Sequence, residues 1–241
     1  MYANIQEAKS FKKGTSILYL VKSFDEINAT IFNYEELSFM ENESSTNKKT
    51  SFAFNRYSHW EYVEIAKEKD NPFHYLENLR VTADKYATIL NDNGLETIGI
   101  SSPEFTAEEC LSFAEGLALA NYQFVKYKTG EDNKFNTLQT ILLKNKNINS
   151  VLIDELNILT EATLTARTLV NEPVNFMNAP RLAKEIEILG MDAGAKVETL
   201  GKSKIEALKM GGLLAVNKGS IDPPSFSIFE WKPENAINKK P

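Results

Sequence analysis

Residues 95–103 read LETIGISSP, and the reading of this stretch decides the architecture. Leu95 to Ile100 is a short apolar run with the character of a buried strand, and Ser101, Ser102 and Pro103 end it. Upstream, Asp70-Asn71-Pro72 is a helix start: a polar cap followed by proline at the first helical position, where a missing N–H costs nothing. Tyr75, Leu79, Ala83, Tyr86, Ile89 and Leu90 then recur at helical spacing until Asn93-Gly94 stops the helix. Downstream, Thr106 and Glu109 have capping-box spacing, so a second helix begins there and runs through Cys110, Phe113, Leu117 and Ala120 towards Tyr122. Thr137 to Leu143 is the next strand. Helix, strand, helix and strand at these short intervals predict an α/β layer architecture.

Further out towards the start, Ser16 to Val21 (SILYLV) is another short apolar run, and Thr30 to Tyr34 is a second strand candidate. Glu41 to Thr50 (ENESSTNKKT) is polar throughout and reads as a turn or exposed loop. Ser51 to Ala66 alternates aromatic and polar residues around Phe52, Phe54, Tyr57, Trp60 and Tyr62, which predicts two paired strands with a bend near Ser58-His59. Towards the end, Asn145 to Ser150 has no apolar period and is the expected boundary between a domain of residues 1–148 and a second of residues 149–241. A long helical pattern follows from Ser150 to Val170. The stretch 166–183, ARTLVNEPVNFMNAPRLA, closes that helix, turns through Asn171, Pro173, Asn175 and Asn178, and opens another helix at Pro180, stopped at Gly190. Lys196 to Leu200 is a strand; Ser203 and Glu206 are spaced as a second capping box, with Gly211 at the helix end. Leu213 to Val216 and Phe226 to Trp231 are expected as strands on either side of a Gly-Ser and Pro-Pro turn.

Composition bounds the function. The 241 residues are 42% hydrophobic and 25% charged, an ordinary globular mixture with length for one large domain or two smaller ones. The net charge of -6 argues against a broad nucleic-acid footprint, and no basic run exceeds a pair such as Lys48-Lys49 or Lys239-Lys240. Cys110 is the single cysteine, which excludes an internal disulfide framework and fits a reducing compartment. The opening MYANIQEAKSF lacks the apolar core of a signal peptide and no later run approaches a membrane span, so the expected location is cytoplasmic.

Each residue type able to carry chemistry has a plainer structural reading. His59 and His74 are far apart, without His or Cys at metal-ligand spacing. Cys110 lies in an apolar helical face, where packing is the expected role. Asp154, Glu155 and Glu161 can share a helix side, as solvated charges do. Lys218, in a Lys-Gly-Ser turn, has no acidic cluster after it. Gly211-Gly212 lacks the strand and helix context of a dinucleotide site, and Ser58-His59 carries no triad signature. No catalytic, metal-binding or cofactor-binding residue is assigned.

Three segments nevertheless fit one pattern. Residues 114–128, AEGLALANYQFVKYK, carry Glu115, Gly116, Leu119, Tyr122, Phe124, Tyr127 and Lys128. Residues 166–183 carry Ala166, Arg167, Leu169, Val170, Asn171, Pro173, Asn175, Pro180, Leu182 and Ala183. Residues 210–231, MGGLLAVNKGSIDPPSFSIFEW, carry Met210, Gly211, Leu213, Leu214, Ala215, Val216, Gly219, Ser220, Pro223, Pro224, Glu230 and Trp231. In this order they resemble the leucyl (cytosol) aminopeptidase family; residues 1–100 contribute no such motif. The resemblance implies a macro-like amino-terminal α/β domain, a linking helix and the beginning of a peptidase domain. It also implies a hexameric enzyme that removes amino-terminal residues from peptides with two Zn or Mn ions. The family's metal-binding segments, G-K-G-x-x-[FY]-D-[ST]-G-G and N-T-D-A-E-G-R, have no counterpart in these residues. The first follows closely on a K-P dipeptide, the place of Lys240-Pro241 here. The chain alone is therefore expected to be inactive. The alternative is a stand-alone binding or oligomerisation module of unknown ligand: macro domains can bind ADP-ribose, but no Gly-rich phosphate cradle is present.

Overall fold

A computed structural model describes residues 3–67, 71–130 and 134–238, and the chain divides after Thr165 into two units. The first is built on a six-stranded sheet of order β1-β6-β5-β2-β4-β3. Its strands are β1 (Asn4–Glu7), β2 (Ile17–Val21), β3 (Ser51–Asn55), β4 (Trp60–Ile65), β5 (Thr97–Ser101) and β6 (Thr140–Lys144). Only the β3–β4 hairpin is antiparallel. In the centre Ile17 is opposite Gly99 on one side and Glu61 on the other. Around the sheet lie α1 (Tyr34–Thr46), α2 (Pro72–Asp92), α3 (Ala107–Ala120) and the start of α4 (Ser150–Asn171).

Alternation along the strands assigns the two faces. Leu18 and Leu20 of β2, Ile98 and Ile100 of β5, and Ile141 and Leu143 of β6 pack against Leu79 and Tyr86 of α2 and Phe113 and Leu117 of α3. The other face carries Val21, Val63, Ile65 and Phe52 against Ile27, Phe32 and Met40 of α1. That second cluster covers only the β2-β4-β3 half of its face. Arg56 fastens the hairpin to α1, donating to Glu36 of α1 from both Nη atoms and to Glu61 Oε2 from Nε at 2.7 Å. At the opposite edge β1 has no outer strand neighbour among the described residues. There Asn157 of α4 stands in for one: its Oδ1 accepts from the Ile5 N–H at 3.1 Å and its Nδ2 donates to the Ile5 carbonyl at 2.8 Å.

Most local expectations hold. Asn71 caps α2, accepting from the Phe73 and His74 amides; Asp70 lies outside the described residues. Thr106 and Glu109 make both bonds of the capping box. Residues 51–66 form the expected hairpin, and α4 has the expected extent. Others need correction. Residues 30–34 are a turn and the start of α1, and α1 runs on to Thr46, through six of the ten residues of the polar stretch 41–50. With Met40 its only buried residue, α1 offers no apolar period to read; its signal was the Asn33–Glu36 capping box, whose two bonds both form. The helix that begins at Thr106 stops short of Tyr122: α3 ends at Ala120, and Asn121 turns inward to bond with Asn91.

The second unit holds α5 (Ala179–Asp192), β7 (Lys196–Leu200), α6 (Lys202–Ala207), α7 (Gly211–Asn217) and β8 (Phe226–Glu230), with β7 and β8 paired antiparallel. Gly190 does not stop α5: it lies inside the helix, where a Cβ would sit 2.2 Å from Val197 Cγ2, so its role is close approach to β7. Gly201, not Ser203, is the cap of α6, and no side chain bonds there, so the second capping box is not formed. Leu213 to Val216 is helical within α7 and not a strand; a short apolar run does not distinguish the two. Phe226 to Glu230 is the strand expected there.

Candidate functional site

The segments leaving neighbouring strands β2 and β5 part to opposite faces of the sheet: after β2 the chain joins the layer of α1, and after β5 the layer of α3. At such a divergence a crevice opens beyond the carboxyl ends of the strands. A cavity of ≈ 780 Å³ lies there, on the half of the face that α1 leaves uncovered. Ile17, Tyr19 and Val21 of β2 form its floor, with Phe11 on one side and Ile27, Ile31 and Phe32 on the other. Its polar rim is made of Ser10, Glu26, Asn28, Ser101, Glu104, Lys144, Asn145 and Lys146.

The walls are held by hydrogen bonds. Asn145 Nδ2 donates to the carbonyls of Ser102 and Phe105 at 2.5 and 2.9 Å, fixing the loop after β5. Glu26 Oε2 accepts from the Lys22 N–H at 2.9 Å, closing the turn after β2. The Lys22 ammonium pairs with Glu109 of α3 at 3.1 Å and lies over the Phe105 ring. Tyr19 packs edge-on to Phe32, and burial, reinforced by the negative charge of Glu61, pushes its hydroxyl up to about 12, so it stays a neutral donor. The Lys144 ammonium stands 5.9 Å from the centre of the Phe11 ring. This arrangement suits recognition of a small molecule with an apolar body.

The residues singled out in sequence are not gathered into a site. Cys110 is fully buried, its Sγ accepts a 3.0 Å bond from Ser102 Oγ, and burial pushes the thiol up to about 11. His59 is half-buried, with Nδ1 3.0 Å from Ser58 Oγ and Nε2 3.8 Å from Glu61. His74 is exposed in the first turn of α2, and Asp154, Glu155 and Glu161 are exposed along α4. Lys218 is exposed at the end of α7, the helix that Gly211-Gly212 begins. Lys239-Lys240 and Pro241 lie outside the described residues. Among the described residues no group of three or more His, Cys, Asp or Glu could hold a metal ion, so they do not fit a two-metal centre. No step through one is derived. Among them, too, no helix is long and apolar enough to cross a membrane.

In the second unit two of the motif segments meet. Asn178 caps α5, accepting from the Arg181 N–H at 3.1 Å, and its Nδ2 donates to Asp222 Oδ1 at 3.1 Å. Asn217 Nδ2 donates to the Asp222 carbonyl at 3.0 Å, and Ser225 Oγ to the Ala179 carbonyl at 3.0 Å. The Arg181 guanidinium lies 4.9 Å from the centre of the Phe176 ring. Through Asn178 and Ala179 on one side and Asn217, Asp222 and Ser225 on the other, the segments 166–183 and 210–231 therefore share one hydrogen-bonded joint. A hollow of ≈ 310 Å³ beside it is walled by Pro180, Ala183, Pro223 and Pro224. On β8, Ile228 and Phe229 are about half exposed, as is Trp231 just beyond it.

Comparison with known proteins agrees with where these motifs fall. Residues 164–241 match the sequence profile of the cytosol aminopeptidase family, catalytic domain. A probable cytosol aminopeptidase of Clostridium perfringens is 35% identical over 177 residues, covering 70% of this chain and 34% of that protein. Another from Chloroherpeton thalassium is 50% identical over 78 residues, covering 32% of this chain and 15% of that protein. Among solved structures, a mutant of tomato leucine aminopeptidase superposes with a TM-score of 0.70 at 15% identity, covering 93% of this chain and 50% of that one. The bottromycin maturation enzyme BotP in complex with Mn gives 0.69 at 17% identity, covering 91% and 46%. At these identities the superpositions speak for the fold alone. The chain matches at most about a third of the length of these curated relatives.

Proposed function

Given that this chain belongs to the cytosol aminopeptidase family, we propose that it is the amino-terminal part of a metal-dependent leucyl aminopeptidase that releases N-terminal residues from peptides. Residues 1–148 are then the amino-terminal domain, macro-like in its layering, and residues 149–241 the linking helix and the start of the catalytic domain. The observation that carries this reading is the catalytic-domain match over residues 164–241, where the two motif segments of the second unit share one joint. The whole enzyme is proposed to be a cytoplasmic hexamer that uses two Zn or Mn ions. The described residues do not fit those ions, so the chain by itself is proposed to be inactive and to serve as scaffold.

The test is hydrolysis of leucine p-nitroanilide with added Mn or Zn, by this chain alone and after joining it to the remaining catalytic half of a relative. Activity only in the joined protein is the expected result. Metal-dependent turnover by the chain alone would overturn the scaffold role, and an inert joined protein that folds and binds metal would overturn the peptidase reading.

One observation favours a second reading, a stand-alone binding or oligomerisation module: the cavity beyond the carboxyl ends of β2 and β5, the customary ligand position in open α/β sheets. Saturable ligand binding by a chain that neither associates with nor complements the catalytic half would favour it.

A further inference from the structure

We infer that the cavity at the carboxyl ends of β2 and β5 binds a di- or tripeptide with both termini free and an apolar side chain. The first ground is its surface. Phe11, Ile27, Ile31 and Phe32 wall an apolar chamber over Tyr19, sized for a small organic ligand. A fully charged or sugar-like molecule would leave those walls unused.

The second ground is charge. Lys144 and Lys146 lie on the rim at one side, and Glu26 lies at the other, with Glu104 between them on the loop after β5. Neither lysine is in an ion pair among the described residues. Two ammonium groups and two carboxylates leave the lining without net charge. It suits a molecule carrying one charge of each sign, its carboxylate towards the lysines and its ammonium towards Glu26.

The third ground is length. Lys144 ends β6 and Glu26 follows β2, with β5 between them, so the strands that lead to the two charged sides are two strand spacings apart, roughly 10 Å. A free amino acid holds its two charges too close to reach both. Two or three extended residues span roughly 7 to 10 Å, and an apolar side chain projecting from them enters the chamber. The inference stands on this cavity and does not depend on the peptidase reading.

The test uses the full chain and NMR titration with leucyl-glycyl-glycine, its N-acetylated form, its C-terminal amide, and adenosine monophosphate. The free peptide is expected to give saturable shifts at Tyr19, Ser101 and Lys144, and each blocked form to bind about tenfold more weakly or worse. Lys144→Ala with Lys146→Ala should erase the advantage of the free carboxylate while leaving affinity for the amide unchanged; both side chains are exposed. The blocked-peptide comparison needs no variant and holds even where the substitutions disturb folding. Equal affinity for free and blocked peptides, no saturable binding, preference for adenosine monophosphate, or shifts confined to residues 166–238 would each overturn the inference.

Discussion

Replacing Asn121 by alanine should destabilise the first unit by several kcal/mol. Asn121 is almost fully buried just after α3. Its Nδ2 donates to the Leu138 carbonyl at 2.8 Å and its Oδ1 accepts from Asn91 Nδ2 at 2.8 Å. Asn91 Oδ1 accepts in turn from the Thr137 and Leu138 amides at 2.7 and 3.0 Å. The pair is thus a clasp that seats the chain entering β6 on the ends of α2 and α3. Alanine leaves a buried carbonyl without its donor and a buried amide short of an acceptor. Each such loss costs about 1–3 kcal/mol, so the sum is about 2–6 kcal/mol, a large part of the roughly 5–15 kcal/mol that stabilises a domain. Trp60 is the tryptophan of the first unit and Trp231 that of the second, so urea unfolding in a Trp231→Phe background reads the first unit by fluorescence. Asn121→Ala should lower the midpoint sharply, Asn91→Ala at least as much, and the double variant less than the sum because the two share a bond. A change below about 1 kcal/mol for Asn121→Ala, or strict additivity, would refute the clasp, since an exposed asparagine behaves that way.

Three further outcomes are expected. Gly116→Ala would place a Cβ 2.4 Å from the Arg80 carbonyl oxygen, so α2 and α3 must separate; a loss of about 1–3 kcal/mol or more in the same unfolding assay is expected. Burial pushes the Glu64 carboxyl up from its ordinary 4.5 despite bonds from Ser51 and Tyr86. The folded state therefore holds that proton longer than the unfolded one, and Glu64's contribution is complete below pH 4.5 and declines as pH rises through the folded value. Glu64→Gln should accordingly gain stability relative to the parent as pH is raised from 4.5 to neutrality, and a constant difference across that range in thermal melts would refute the assignment. The exposed apolar residues in and just after β8 predict self-association at high concentration, which Ile228→Lys with Trp231→Lys should reduce in sedimentation velocity; unchanged sedimentation would mean that this surface is not the contact.

What could be read from sequence follows the range of the interaction concerned. Caps are settled within four residues, so Asn71 and Thr106 are legible from their immediate neighbours, and strand β7 is legible whole from its own five residues. The same rule failed where a local pattern had no local occupant: Ser203 and Glu206 have the spacing of a box, but Gly201 takes the cap. α1 is hard to read for the opposite reason, since a helix that buries only Met40 needs almost no apolar pattern to stay where Arg56 and Glu36 hold it. The cavity is a different case. Tyr19, Glu26 and Lys144 come together only because β5 lies between β2 and β6 and because the segments after β2 and β5 turn to opposite faces. Strand order is a property of the whole sheet, carried by the packing of helices two elements away. No spacing within 16–34 or 137–146 announces it. The charged rim therefore looks like scattered surface residues in sequence, and becomes a pair of opposed ends, with an apolar chamber between them, once the order β6-β5-β2 is known.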